Sequence, residues 1–333
     1  MENKSKENEN KEYNKFAAGV VVLRAQDANW NADFSGWPRK LPDGRFYSTD
    51  KALKYAIRKY LKEIKNETVI FWRVYNEKGE VGNLPAILKK NEINIEDNKE
   101  VPKEVLEKGI DVRLFGGTFT LKKQLFSITG CAQITYGIDL WNKGKPYVSQ
   151  IQSPKYEGKE EYGPQSTLGS EVRLTEAHYS FDFTINPNNL KMDNYIKSVI
   201  DQQNIKNCLL SEKDVNLFRE ALLNAPNYTT STTKNSVFTE LLIFAEVDQP
   251  KENNKENNKE NGISVPLVPI LKNTIKIEES DGVKRKINIS ETIKTLKDLG
   301  FSQIKVYYHP ELCDIECGNI KVDKVELKVQ QTK

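Results

Sequence analysis

Between Gln26 and Lys65 the sequence concentrates the side chains that can hold a nucleic-acid backbone. Arg39, Lys40 and Arg45 precede a stretch in which Lys51, Lys54, Arg58, Lys62 and Lys65 recur at three- and four-residue steps. On a helix, at about 100° per residue, these five project within about 80° of one another, so one face is wholly basic. Residues 38–65 hold nine Lys or Arg against three acids, whereas the whole chain has 50 Lys+Arg, 47 Asp+Glu and a net charge of only +3. Phosphate binding needs this local concentration rather than a basic chain. A solvated helix face explains the same stripe, and the flanking loop bears on the choice.

That loop, DANWNADFSGWPRKLPDGRFYST, interleaves Trp30, Phe34, Trp37, Phe46 and Tyr47 with Arg39, Lys40 and Arg45. Aromatic rings stack on splayed bases while cations meet phosphates; tryptophans also pin long loops to a core. Asn29 and Asn31 suit either Asx turns or a ribose hydroxyl. DVRLFGGTF joins Arg113 to Gly116 and Gly117. Two residues without Cβ let a backbone approach phosphate closely, or simply make a tight turn. Gln133 and Thr135 lie on the polar side of an alternating stretch and face sugar or solvent. Thr233 and Lys234, within STTK, offer hydroxyl and ammonium donors, or form a plain polar loop.

Those groups need elements to position them. Residues 17–25 (AAGVVVLRA) read as a buried strand, and a 24-residue loop follows from Gln26 to Thr49. Ser48 or Thr49 then caps a helix with Leu53, Ala56, Ile57, Tyr60, Leu61 and Ile64 on its apolar side. TVIFWRVY at 68–75 reads as the next buried strand, giving a β-α-β opening. Alternation from Phe126 to Leu140 predicts one long strand and 179–185 another, with polar residues 142–178 between them as a protruding hairpin. Ser211 caps a helix to about Asn224, and 237–247 is a core strand.

This order predicts an α+β, ferredoxin-like or RRM-like sheet with helices on one face. The expected organisation is a disordered tail at 1–14, a palm at 15–249 and a low-complexity loop at 250–262 (KENNKENNKEN). A C-terminal strand-helix-strand unit at 263–333 completes the palm. Within it 283–289 and 303–308 read as strands, Ser290–Leu299 as a helix and about 320–329 as a last strand.

Composition excludes several classes of function. With 38% hydrophobic residues, 14 Tyr, 13 Phe and 4 Trp in 333 residues, wholesale disorder is excluded. No apolar run approaches the roughly 18 residues of a membrane span, and MENKSKENENKEYN has no apolar signal core, so a cytoplasmic protein without membrane contact is expected. Four cysteines without an export signal make no disulfide framework, and two histidines leave little for multi-histidine metal sites.

VVLRAQDANWNADFSGWPRKLPDGRFYSTDKALKYAIRKYL resembles the opening of the Cas7 family, the backbone subunits of type I CRISPR interference (Cascade) complexes, and within it the subtype I-B branch. DVRLFGG at 111–117, STLGSEVRLTEAHYSFDFTINP at 166–187 and STTKNSVFTELLIFAEV at 231–247 are further similar pieces in family order. The resemblance implies an RRM-like palm, helical fingers at 76–109 and a β-hairpin thumb at 142–178. Copies would polymerise along CRISPR RNA and present it for pairing with a target DNA strand. The other partners implied are large, small, guide-end-binding and guide-processing Cascade subunits. On that view Lys51, Lys54 and Arg58 meet phosphates, and Asn29, Asn31, Arg39 and Lys40 hold the backbone near the long loop. Leu168 and Arg173 belong to the thumb. Arg113, Gly116, Gly117, Gln133, Thr135, Thr233 and Lys234 lie close to RNA. A coat that accepts any guide should grip phosphate and ribose and leave base edges free.

Catalytic readings compete with this one. Asp27, Asp33 and Asp43 can hold Mg²⁺ for RNA cleavage, as a loop aspartate does in related type III backbone subunits. A generic single-stranded RNA-binding protein is a further alternative. His178 beside Tyr179 has the type of a general base, and His309, Cys313 and Cys317 have metal-like spacing with no fourth ligand. No cofactor, catalytic residue or metal ligand is assigned, and a non-enzymatic subunit is expected.

Overall fold

The computed structural model describes residues 11–96, 100–122, 124–152, 168–201, 205–249, 268–280, 282, 284–319 and 322–327. In chain order the elements are β1 (Lys15–Ala28), β2 (Tyr47–Ser48), α1 (Asp50–Glu63), α2 (Leu84–Lys90), α3 (Val101–Lys108) and α4 (Ile110–Phe115). Five strands follow: β3 (Gly116–Leu121), β4 (Gln124–Thr129), β5 (Ala132–Ile134), β6 (Gly137–Asp139) and β7 (Pro146–Gln152). The long β8 (Leu168–Ile185) leads through α5 (Asn188–Lys191) and α6 (Asn194–Val199) to α7 (Glu212–Tyr228) and β9 (Val237–Asp248). The C-terminal unit comprises α8 (Val268–Thr274), β10 (Lys276–Glu279), β11 (Arg285–Asn288), α9 (Ser290–Asp298), β12 (Gln303–Tyr308), β13 (Cys313–Glu316) and β14 (Asp323–Glu326).

The main sheet runs β14-β12-β9-β1-β8-β6-β2, with β5 and β7 also paired to β8. β1 lies antiparallel between β8 and β9, with Val21 opposite Phe181 on one side and Leu242 on the other. Because successive strand side chains alternate faces, β1 serves two cores. Val21, Leu23 and Ala25 join the core under α1 and α7, while Ala18, Val20 and Val22 join a second core with Leu241, Ile243, Ile287, Ile293 and Val306. The second face is therefore not open. β12 and β14 widen the sheet, and α9 with the separate β10-β11-β13 sheet backs it.

Three expectations change. Residues 68–75 bury Val69 and Ile70 but form no strand. The buried carboxylate of Asp111 accepts from the backbone N–H of Ile70 (2.7 Å) and Phe71 (3.1 Å), replacing a strand ladder. The single strand predicted over 126–140 is three pieces: β4 pairs with β3, and after a turn at Gly130 β5 and β6 pair with β8. A Cβ at Gly130 would lie 2.2 Å from the Gly116 nitrogen, so the turn admits glycine alone. The chain is also packed before residue 15, where a tail was expected: Tyr13 is buried and its hydroxyl donates to Glu246 Oε1 at 2.8 Å. Residues 153–167, most of the expected hairpin tip, and 250–262 lie outside the described residues.

Alternation along β8 puts Ala177, Tyr179, Phe181 and Phe183 under the helices and turns Glu176, His178, Ser180 and Asp182 toward the C-terminal unit. There the buried Arg24 sits 3.0 Å from Glu176 and 3.5 Å from Glu240. His178 is held between Glu240 (Nδ1, 2.6 Å) and Glu176 (Nε2, 3.0 Å), and Arg285 of β11 closes on Glu176 at 2.6 Å. With a carboxylate on each side, both ring nitrogens donate. Burial opposes the charged imidazole, but Glu240 and then Glu176 outweigh it and raise its pKa to about 9. Burial likewise opposes the Glu176 carboxylate, and bonds from His178 and Arg285 hold it down at about 2.

These shifts set a two-sided pH dependence. A histidine raised above its ordinary pKa of about 6.5 contributes fully below that value and loses its contribution as pH rises through about 9. Glu176 contributes above its ordinary pKa of about 4.3 and loses its contribution as pH falls toward about 2. Urea titrations should find H178Q less stable than the natural chain by about 3–5 kcal/mol near pH 6, with the gap narrowing toward about pH 10. A gap independent of pH would contradict a charged His178.

Candidate nucleic-acid interface

Helix α1 begins where the Thr49 hydroxyl accepts from the Ala52 N–H, and it buries Leu53, Ala56, Ile57, Tyr60 and Leu61. Its opposite face is basic as predicted but electrostatically uneven. The Lys51 side chain is 79% exposed, with Asp50 at 3.4 Å. Lys54 is drawn to Asp50 at 3.0 Å and over the Phe115 ring, leaving 14% of its side chain exposed. Arg58 donates from Nε to the buried Asp111 at 2.9 Å and lies over Phe71 and Phe115, and Lys65 pairs with Glu220. The stripe therefore does two jobs: Lys51 faces solvent, while Lys54 and Arg58 fasten α1 to α4 and the 69–71 segment.

Arg113 is not a surface cation. It makes two bonds of 2.8 Å to Asp214, which also closes the Ser211 capping box of α7, and Nη1 donates to the Leu106 and Glu107 carbonyls. Gly116 and Gly117 do allow close approach, but to the protein itself. A Cβ on Gly116 (φ +69°) would lie 2.0 Å from the Ile128 carbonyl, and one on Gly117 would lie 2.2 Å from the Phe71 ring. This trio builds the β3–β4 hairpin and its link to α7.

A cleft of about 480 Å³ gathers residues from four places in the chain. The long loop supplies Asn29, Trp30, Asn31, Ala32 and Gly36; α1 gives Ala52 and Tyr55; β8 gives Ser170, Glu171 and Val172; the turn before β9 gives Thr233 and Lys234, with Thr229 at the end of α7. Asn29 Nδ2 donates to the carbonyls of Gly36 (2.9 Å) and Val172 (3.1 Å), so one side chain ties loop to β8. Asn31 Oδ1 accepts from the Thr49 N–H and hydroxyl at 2.9 and 3.0 Å, fixing the loop to the start of α1. Thr233 accepts the Asn29 N–H on its carbonyl at 2.7 Å.

The cleft contains groups that the described residues leave unsatisfied. Lys234 Nζ lies 5.8 Å from the centre of the Trp30 ring. Its pKa is lowered, first by burial and then by repulsion from Lys59, and no carboxylate among the described residues counters this. The buried Trp30 Nε1–H and Asn29 Oδ1 have no hydrogen-bond partner among the described residues. A desolvated cation with indole and hydroxyl donors beside it suits an anionic, hydroxyl-bearing ligand.

The other predicted residues are distributed around this site. Arg39 is half-buried with Nε unpartnered, and the exposed Lys40 lies 4.7 Å over the Phe46 ring. Arg173 pairs with Glu171 at 2.8 Å and donates to the Asp27 carbonyl, bracing the root of the β7–β8 hairpin. Gln133 is on β5 and bonds the Gly130 carbonyl, while Thr135 is tied to Asp182 N–H and Lys272; both stand apart from the cleft. Leu168 opens β8, and its side chain lies outside the described residues. Tyr55 was not singled out from the sequence. Tyr55, 48% exposed and stacked on Trp72 at 5.5 Å, falls about 20° past the basic stripe by helical spacing, a signal that was there to read.

The aspartates proposed for metal do not converge. Asp33 Oδ1 takes the Ser35 hydroxyl and the Ser35 and Trp37 N–H groups, which lowers its pKa, and Asp43 is paired with Arg45 at 2.7 Å. Among the described residues no three His, Cys, Asp or Glu side chains are grouped to hold an ion. His178 is locked in the buried clamp, and Cys313 Sγ points to the His309 and Glu240 carbonyls. No helix among the described residues is long and apolar enough to cross a membrane.

The sequence profile of the family described as CRISPR-associated protein Cas7 matches residues 15–289. The chain belongs to the Cas7 family, and the matched span contains the long loop, α1, the β7–β8 hairpin and the turn before β9. A chain of a solved structure described as "CRISPR RNA-guided surveillance complex, pre-nicking" is similar in fold, with a TM-score of 0.51 at 12% identity, covering 94% of this chain and 96% of that one. Another, from a "CRISPR RNA-guided surveillance complex", has a TM-score of 0.44 at 13% identity, covering 88% of each chain. No curated protein matches the sequence.

The uneven stripe yields a test by denaturant titration. R58A should lose about 1.5–3 kcal/mol, because it leaves the buried Asp111 short of a charge-assisted bond, while K51A should unfold at the same midpoint as the natural chain. Equal midpoints for all three proteins would contradict the division of the stripe.

Proposed function

We propose that the chain is a guide-RNA-binding backbone subunit of a type I, I-B-like CRISPR surveillance complex, polymerising along the spacer and presenting it for pairing with target DNA. The observation that carries this reading is the cleft in which an uncountered Lys234, Trp30 and the 27–49 loop meet α1 and the hairpin root. Membership of the Cas7 family supports it, as does the likeness to a chain of an RNA-guided surveillance complex. We read β9-β1-β8-β6 as an RRM-like palm, α2–α4 as fingers and β7–β8 as the thumb, whose far end holds Leu168.

In this account Lys51, Lys234, Arg39 and Lys40 meet phosphates, and Asn31, Thr233 and the Trp30 N–H bond ribose or phosphate oxygens. Asn29 and Arg173 hold the loop and hairpin root in place, while Lys54, Arg58, Arg113, Gly116 and Gly117 act through the scaffold, with Gln133 and Thr135 at its border. Contacts of this kind ignore base identity, which suits a coat on variable guides. The proposed partners are CRISPR RNA, target DNA through that RNA, further copies, and large, small, guide-end-binding and guide-processing subunits in the cytoplasm. The role is structural, not catalytic, in keeping with an Asp33 carboxylate absorbed by its own turn.

Native mass measurements on RNAs of increasing length should show added mass in steps of one chain, and K51A and K234A should each reduce the slope of log affinity against log salt by about one-half to one unit. A single stoichiometry at every length would rule out a polymerising backbone. Mg²⁺-dependent RNA cleavage lost in D33A would favour an endoribonuclease instead.

A further inference from the structure

The loop that rims the cleft ends in a feature that folding does not explain. Phe34 is fully exposed, at 106% of its reference area, so its ring packs against nothing among the described residues. The turn bearing it is nevertheless tightly built. Asp33 Oδ1 accepts from the Ser35 N–H (2.8 Å), the Ser35 hydroxyl (2.7 Å) and the Trp37 N–H (3.0 Å), and the Asp33 N–H donates to the Trp37 carbonyl at 2.8 Å. Gly36 supplies the positive φ (+83°), and its carbonyl takes the Asn29 amide that also grips β8. Ala32 and Pro38 bridge across the base of the turn.

We infer that Phe34 is a preformed post on which one unpaired base of the bound RNA stacks; the inference rests on the guide-RNA reading above. Asn31, Ala32 and Gly36, which flank the ring along the chain, line the same cleft as Lys234. A strand whose backbone enters that cleft meets the turn that carries the ring at the cleft's rim. The ring's immediate neighbours, Asp33 and Ser35, are polar and Gly36 has no side chain, and Trp37, 43% exposed, is the other large apolar side chain of the turn. A π-face accepts any base, and because the turn is already fixed only the ring's own rotamers are ordered on stacking. The post thus adds affinity without reading sequence.

The test uses the full chain and a labelled RNA long enough for one copy, followed by fluorescence anisotropy. F34A should bind roughly 5- to 150-fold more weakly with an unchanged salt slope, F34W should bind like the natural chain, and F34L should stay weak. Moving one abasic site along the RNA should reveal a position at which F34A and the natural chain bind equally. Equal affinity of F34A and the natural chain for intact RNA would overturn the inference, as would F34L binding as well as Phe34. Loss of self-association in F34A without loss of RNA affinity would overturn it too, assigning the ring to a protein contact. If the natural chain bound no RNA, the guide-RNA reading itself would fall.

Discussion

Arg24, Glu176, His178, Glu240 and Arg285 come from four strands and are taken out of water together between the main sheet and the C-terminal unit. Each charge in such a cluster is tolerable only while the others are in place, since removing one leaves its neighbours buried and uncompensated. Arg285 belongs to β11, in the separate three-stranded sheet, so the cluster fixes that sheet against the strand that also bears the hairpin. The sheet's second face is thereby committed to protein. On the proposed reading nucleic acid is left the rim, where the long loop, α1, the hairpin root and the 229–234 turn meet.

The same economy of charge runs through the rim. Asp111 organises the 69–71 segment and anchors Arg58, and Asp214 caps α7 while anchoring Arg113. In both cases a carboxylate and a guanidinium that look available in sequence neutralise each other and position backbone. Among the described residues no carboxylate counters Lys234 in the cleft, and Lys51, although 3.4 Å from Asp50, keeps 79% of its side chain exposed. Scaffold cations set the shape and a few others supply the field.

The sequence was informative where local periodicity decides structure. The 3.6-residue stripe placed α1 and its cap, apolar runs placed β1 and β9, alternation placed the 179–185 part of β8, and the polar stretch 142–178 marked a hairpin. It was silent where a distant residue decides. Residues 68–75 have the composition of a strand, yet the Asp111 carboxylate, some 40 positions away, takes their N–H groups. Arg113 looked like a phosphate ligand because its partner lies 101 residues on. Gly116 and Gly117 were read as letting a backbone approach phosphate, and what approaches them in the fold is the Ile128 carbonyl and the Phe71 ring. Asn29, Asn31, Thr233 and Lys234 do share one cleft, which Glu171 of the hairpin strand also lines.

The central claim is that RNA lies along this rim and not across the sheet. Ultraviolet crosslinking of the full chain to uniformly labelled RNA, with adducts located by peptide mass spectrometry, tests it most directly. The account predicts adducts in the peptides bearing Trp30, Phe34, Tyr55 and Lys234, and none in the 303–308 strand with Tyr307 and Tyr308. Adducts concentrated in β12 or in the β10-β11-β13 sheet, with the loop and α1 unmodified, would contradict it.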